Sequence, residues 1–101
     1  MNIYTKLITT SILMCLAGIV FAAGDAAAGK EKAALCGACH GADGISPNDL
    51  WPNLKGQKFG YMVKQLKALR DGSRTDPMMS PMAAPLTDED IDNLAAYFSS
   101  M

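Results

Sequence analysis

Histidine and tryptophan each occur once in the 101 residues and cysteine three times, and neither sign of charge prevails, nine Lys and Arg standing against ten Asp and Glu. Each shortage removes a class of protein. Without an excess of cations no field exists to hold a phosphate backbone or an anionic membrane surface, which argues against a nucleic-acid binder. With His40 as the lone imidazole, no cysteine can be activated by a histidine elsewhere in the chain. Alternating apolar and polar runs, internal repeats and low-complexity tracts are missing too, so strands and solenoids drop out. A chain this short forms one small domain.

Half of the residues are hydrophobic, and many of them stand together near the start. Residues 1–6 are polar with one cation, Lys6, and residues 7–21 form an apolar run followed by Ala22 and Ala23. This is the pattern of a secretory signal peptide, with cleavage expected after Ala22. The competing reading is an uncleaved membrane anchor, which the shortness of the apolar run and the lack of a following cationic cluster disfavour. Cys15 leaves with the peptide, since Met14 stands where a lipoprotein site needs a small residue. The mature chain then holds Cys36 and Cys39 and is expected in an oxidising compartment, the periplasm. A domain of that size needs a staple, a metal or a cofactor to complete its core.

The periodicity predicts an all-α class with long loops. Residues 25–36 place Ala26, Gly29, Ala33 and Cys36 on a narrow face of small side chains, a close-packed helix. Residues 41–56 carry too many Gly, Pro and Asn for a regular element. Phe59, Met62, Val63, Leu66 and Leu69 then form one stripe with Gly72 as the stop, an amphipathic helix. Residues 73–85 bring together Pro77, Pro81 and Pro85 with Met78, Met79 and Met82, and read as an irregular loop. Thr87 opens a last helix as N-cap, Asp90 completing a capping box, with Ile91, Leu94, Ala95 and Phe98 as its buried stripe.

The chemistry lies in Cys36-Gly37-Ala38-Cys39-His40. Two thiols three positions apart can bond to both vinyl groups of a haem while the adjacent imidazole meets its iron, which is why C-x-x-C-H reads as c-type haem attachment. A zinc site would need four protein ligands, and the mature chain has no further Cys or His. A redox-active thiol pair would need a βαβ framework, and a disulfide closing so small a loop would stabilise almost nothing. Covalent haem also supplies the missing core. For the iron's opposite face the candidates are Met62, Met78, Met79, Met82 and Met101. Met62 belongs to a core stripe and Met101 to the chain end, whereas Pro77 and Pro81 stiffen the loop holding the other three.

Beyond the pentapeptide and its following Gly41-Ala42-Asp43-Gly44, the chain carries Trp51-Pro52-Asn53-Leu54-Lys55-Gly56-Gln57, Tyr61-Met62-Val63-Lys64-Gln65-Leu66, Met79-Ser80-Pro81-Met82 and Leu86-Thr87-Asp88-Glu89-Asp90-Ile91. In this succession it resembles the class I c-type cytochromes, most closely one domain of the cytochrome c4 family, with the difference that those proteins carry two haem domains and this chain one motif. The resemblance implies a small class I cytochrome c fold over residues 23–101, one covalently bound haem c on Cys36 and Cys39, and His40 and Met79 as axial ligands of its iron. It implies Met82 packed on the porphyrin, the Pro52 carbonyl as acceptor for His40, and Gly29 as the crossing point of the first and last helices beside Tyr97. Trp51 and Tyr61 read as core or haem-wall aromatics.

The function expected is soluble one-electron transfer in a periplasmic or respiratory chain, between redox partner proteins and without a small-molecule substrate; a membrane enters only if the N-terminal segment stays uncleaved. The alternative is a haem-binding subunit, or a small haem enzyme or sensor whose sixth position opens. Lys55, Lys58, Lys64, Lys67, Arg70 and Arg74 gather against Asp71 alone, either as solvated helix faces or as a patch that steers an acidic partner.

Overall fold

Asp25 begins the first helix by accepting hydrogen bonds on its carboxylate from the amides of Ala27 at 2.9 Å and Ala28 at 3.3 Å, satisfying donors that have no partner within the helix. The computed structural model describes residues 23–101; the predicted signal peptide and Cys15 lie outside the described residues. Five helices follow in order, α1 (Ala26–Lys32), α2 (Ala34–His40), α3 (Phe59–Asp71), α4 (Met79–Ala83) and α5 (Asp88–Ser99), with no strand among the described residues.

The helix predicted over residues 25–36 arrives as α1 and α2, and it continues to His40. Ala33 separates the two segments, where the amide of Cys36 reaches its carbonyl at 2.9 Å across three residues and that of Gly37 reaches it at 3.1 Å across four. This is a local tightening rather than a break. The run stops at Gly41, whose φ of +84° no side chain tolerates easily.

The last helix is capped as the sequence predicts, with the Thr87 hydroxyl accepting from the Asp90 amide and the Asp90 carboxylate accepting from the Thr87 amide, each at 3.0 Å. Its predicted stripe of Ile91, Leu94, Ala95 and Phe98 is buried. Gly29 lets α1 cross α5 at backbone contact beside this stripe, since a Cβ there would lie 1.9 Å from the Asn93 carbonyl oxygen and 2.9 Å from the Tyr97 Cβ. The crossing is fastened by the Asp25 amide donating to Asn93 Oδ1 at 2.7 Å and by Lys32 pairing with Asp90 at 3.4 Å.

Helix α3 runs to its predicted Gly72 stop at φ +91° and buries Met62 and Leu69. Ala33, Met62, Leu94, Ala95 and Phe98 form the core cluster, with Leu54, Phe59, Val63, Leu66 and Leu86 packed around it. The protein core is therefore a wedge between α1, α3 and α5.

Residues 73–85 differ from the loop expected of them, because they contain α4. The Asp76 carboxylate accepts from the amides of Met78 at 2.9 Å and Met79 at 2.8 Å, and the Ser80 amide reaches the Asp76 carbonyl at 3.0 Å. Asp76 thus caps the turn that leads into α4, with Pro77 ahead of the first helical residue, where the missing N–H costs nothing. Pro77 favours this start, and Pro81, third in α4, is tolerated because the first four amides of a helix have no intrahelical acceptor.

Candidate metal centre

On α2, Cys36, Cys39 and His40 are spaced i, i+3 and i+4, so all three side chains fall on one helical face. Both cysteines are free thiols and half-buried. Burial pushes the Cys36 thiol up more strongly than its backbone hydrogen bond lowers it, and the neighbouring Cys39 raises it further. A protonated thiol of this kind is a poor nucleophile, unlike the acidified cysteine of a dithiol oxidoreductase.

His40 is buried, and its Nδ1 lies 2.7 Å from the Pro52 carbonyl oxygen. A carbonyl can only accept, so Nδ1 carries the hydrogen. In the neutral ring Nε2 then presents its lone pair, and it has no hydrogen-bond partner among the described residues. The loop after Gly41 delivers that carbonyl. A Cβ on Gly41 would lie 2.0 Å from the Ile45 carbonyl oxygen. The Gly44 carbonyl accepts from the amides of Leu54 at 2.8 Å and Lys55 at 3.0 Å, closing the loop at its neck. Asn53 accepts from the Ser46 amide at 2.7 Å, and the Ser46 hydroxyl donates to the Cys39 carbonyl at 3.3 Å. Ser46 and Asn53 escape the sequence reading; their one signal is that each flanks a proline in a turn-rich stretch.

Trp51 is half-buried beside Pro52, with its backbone amide donating to the Asn48 carbonyl at 3.1 Å. Met79 is half-buried on α4, while Met82, Met78 and Tyr61 are 44, 54 and 52% exposed. The structure therefore joins Cys36, Cys39, His40 and Pro52 in one cluster and carries Met79 and Met82 on a separate helix. Helices α2 and α4 do not meet; Cys36 of α2 packs against the core cluster, and α4 lies on α3 with Ala83 buried. A surface cavity of about 240 Å³, lined by residues including Lys30, Ala34, Gly37, Ala42 and Tyr97, opens on another stripe of α1 and α2 and includes none of these site residues.

Among the described residues no three His, Cys, Asp or Glu side chains converge to cage an ion. The donor set suits an iron already held in a ring, with two thiols and a tautomer-fixed imidazole on one face and thioethers on a helix set apart. The apolar surface exposed at Tyr61, Met78 and Met82 gives such a ring something to cover. The residues fit a haem.

A family model for cytochrome c matches residues 26–101. The chain belongs to the cytochrome c family. Membership implies covalently bound haem c. The sequence is 48% identical over 94 residues to cytochrome c4 of Pseudomonas aeruginosa, covering 93% of this chain and 47% of that protein. It is 51% identical over 81 residues to cytochrome c-554(548) of Halomonas halodenitrificans, covering 77% of this chain and 98% of the relative. The crystal structure of reduced recombinant cytochrome c4 from Pseudomonas stutzeri superposes with a TM-score of 0.74 at 46% identity, over 78% of this chain and 46% of that one. This cytochrome thus has the class I fold and spans about half the length of the cytochrome c4 relatives. No described helix is long and apolar enough to cross a membrane.

Proposed function

We propose that this cytochrome is a one-electron carrier with a single haem c, exported to the periplasm after loss of residues 1–22. When bound, the haem supplies reversible Fe(III)/Fe(II) cycling. Cys36 and Cys39 would hold it through thioether bonds, His40 would bind the iron through Nε2, and Met79 would bind on the opposite face, with Met82, Trp51 and Tyr61 lining the pocket. The observation that carries this reading is the 2.7 Å contact of His40 Nδ1 with the Pro52 carbonyl. It fixes the tautomer and frees the nitrogen that a metal needs.

The other residues act by position. Asp76 holds the backbone under Met79, so the thioether is presented from a capped turn rather than a slack loop. A neutral sulfur opposite an imidazole favours the ferrous state and raises the potential. With His40 and Met79 as its two protein ligands, the iron would be kept from substrates, which supports transfer between redox proteins over catalysis. The mass of the exported protein reports haem attachment and cleavage together. Met79→Ala is expected to abolish the weak long-wavelength sulfur-to-iron band of the ferric protein and to admit carbon monoxide to the ferrous one. Retention of the band would move the axial role to Met78 or Met82, and rapid carbon monoxide binding by the parent would favour the sensor or enzyme alternative.

A further inference from the structure

Arg70, in the last turn of α3, uses its guanidinium on three places at once. Nε and Nη2 donate to the two carboxylate oxygens of Asp71 at 2.8 and 3.3 Å, while Nη1 donates to the Leu86 carbonyl at 3.2 Å and to Asp88 Oδ1 at 2.8 Å. Asp71 is the final residue of α3 and Asp88 the first of α5. One side chain therefore grips both ends of the segment 72–87 that contains α4. Only Arg has a planar fork able to satisfy a carboxylate, a carbonyl and a second carboxylate together.

The segment needs such a grip because α4 has five residues and no helical neighbour except α3. Ala83 is the one buried residue of α4, so a single small side chain anchors its core face and the ends of the segment set the rest of its placement. We infer that Arg70 is a positioning residue for the axial methionine, closing the base of the loop so that Met79 stays at the iron; this rests on the Met79 reading above. Arg70 is 20% exposed and its partners Asp71 and Asp88 are 59 and 70% exposed. Such pairs add little to global stability. The effect expected is on opening of this segment alone.

The test uses the mature haem-loaded protein and two readouts, the pH at which the ferric sulfur-to-iron band is lost as hydroxide or an amine displaces the thioether, and the rate of carbon monoxide binding to the ferrous form. Arg70→Gln is expected to bind carbon monoxide about fivefold faster, the factor that one surface charge pair supplies, and to lose the band at lower pH. Arg70→Lys keeps the charge without the fork and is expected to restore only part of the difference. Asp25→Ala, which uncaps the N-terminus of α1, is expected to lower the melting temperature and to leave both readouts unmoved. Parental values in Arg70→Gln, or an equal change in Asp25→Ala, would overturn the inference. If Arg70→Gln does not mature, Asp88→Asn removes one arm, and unchanged readouts there have the same force. Met79→Ala run alongside separates the two ideas. Its keeping the band sinks the axial reading, whereas its losing the band with Arg70→Gln unmoved sinks the positioning role alone.

Discussion

The same substitution at two glycines is expected to move stability in opposite directions. At Gly29 the new Cβ would stand 1.9 Å from the Asn93 carbonyl oxygen, against an ordinary carbon-to-oxygen approach of about 3.3 Å. Helix α1 must retreat from α5 by more than about an ångström, stretching the Asp25 to Asn93 hydrogen bond and loosening Ala33 from the core cluster. The obstacle is backbone on a rigid helix, so no side-chain rotation relieves it. Overpacking of this kind costs roughly 1–3 kcal/mol, and the upper end applies because both helices must move. For a domain of this size about 3 kcal/mol lowers Tm by roughly 12–24 °C. At Gly60, in the first turn of α3, an added Cβ meets nothing within 4 Å. Gly60→Ala only removes backbone freedom from the unfolded chain and is expected to stabilise by about 0.5 kcal/mol, or roughly 2–4 °C. Paired thermal melts of the haem-loaded proteins by far-ultraviolet circular dichroism read both. A Gly29→Ala protein melting within about 2 °C of the parent would refute the close-crossing account, for which a loss of about 4 °C is the minimum.

Three further outcomes follow from the structure. Hydrogen bonds from Arg70 to Asp71 and Asp88, and from backbone amides to Asp76 and Asp90, hold these carboxyls below their ordinary 3.8. Groups lowered in the folded state stabilise it above the unfolded value and lose that contribution as the pH falls through the folded one. Stability is therefore expected to fall below about pH 4, and Asp90→Asn, less stable at neutral pH, is expected to show a shallower acid loss in urea titrations. Cys36→Ser with Cys39→Ser cannot form thioethers and is expected to lose much of its far-ultraviolet helicity; full native helicity would show that the haem is not needed as core. If the lysines of the α3 region steer an acidic partner, reduction rates are expected to fall as salt rises from low to physiological strength. The pairing of Arg70 with Asp71 and Asp88 leaves Lys55, Lys58, Lys64, Lys67 and Arg74 as the residues to substitute.

What the sequence disclosed and what it hid divide along a physical line. Stripes such as Ile91, Leu94, Ala95 and Phe98, and caps such as Thr87 with Asp90, are local patterns whose partners lie within one or two turns, and they could be read directly. The pentapeptide was legible because its spacing is itself the chemistry. The extent of α2 was less so. Gly37 weakens the local preference, and the helix continues to His40 only because Gly41 supplies the stop. Helix α4 was hidden behind its prolines, although Asp76 followed by Pro77 is a start signal once Pro is allowed at the entry to a helix. Ser46, Asn53 and Arg70 could not be found this way, since each acts on residues brought near by the fold. The distances of 16 and 18 positions from Arg70 to its far partners lie beyond any helical period.

The support given to the site is uneven, and that unevenness bears on how the proposed electron transfer would work. Helices α1, α3 and α5 enclose the apolar wedge, whereas α2 and α4, which bear the proposed ligands, are short and reach the core through Cys36 and Ala83. A haem tethered through α2 and met by Met79 from α4 would complete packing that the polypeptide leaves open between them. The burden of holding ligand geometry then falls on polar contacts at the margins, from His40 to Pro52, from Asp76 to the Met78 and Met79 amides, and from Arg70 to the loop base. Substitutions in the wedge should change melting with little effect on ligation, while those at the margins should change ligation with little effect on melting. A one-electron carrier benefits from this separation, because the iron environment can be tuned through exposed polar contacts without repacking the core that keeps the chain folded.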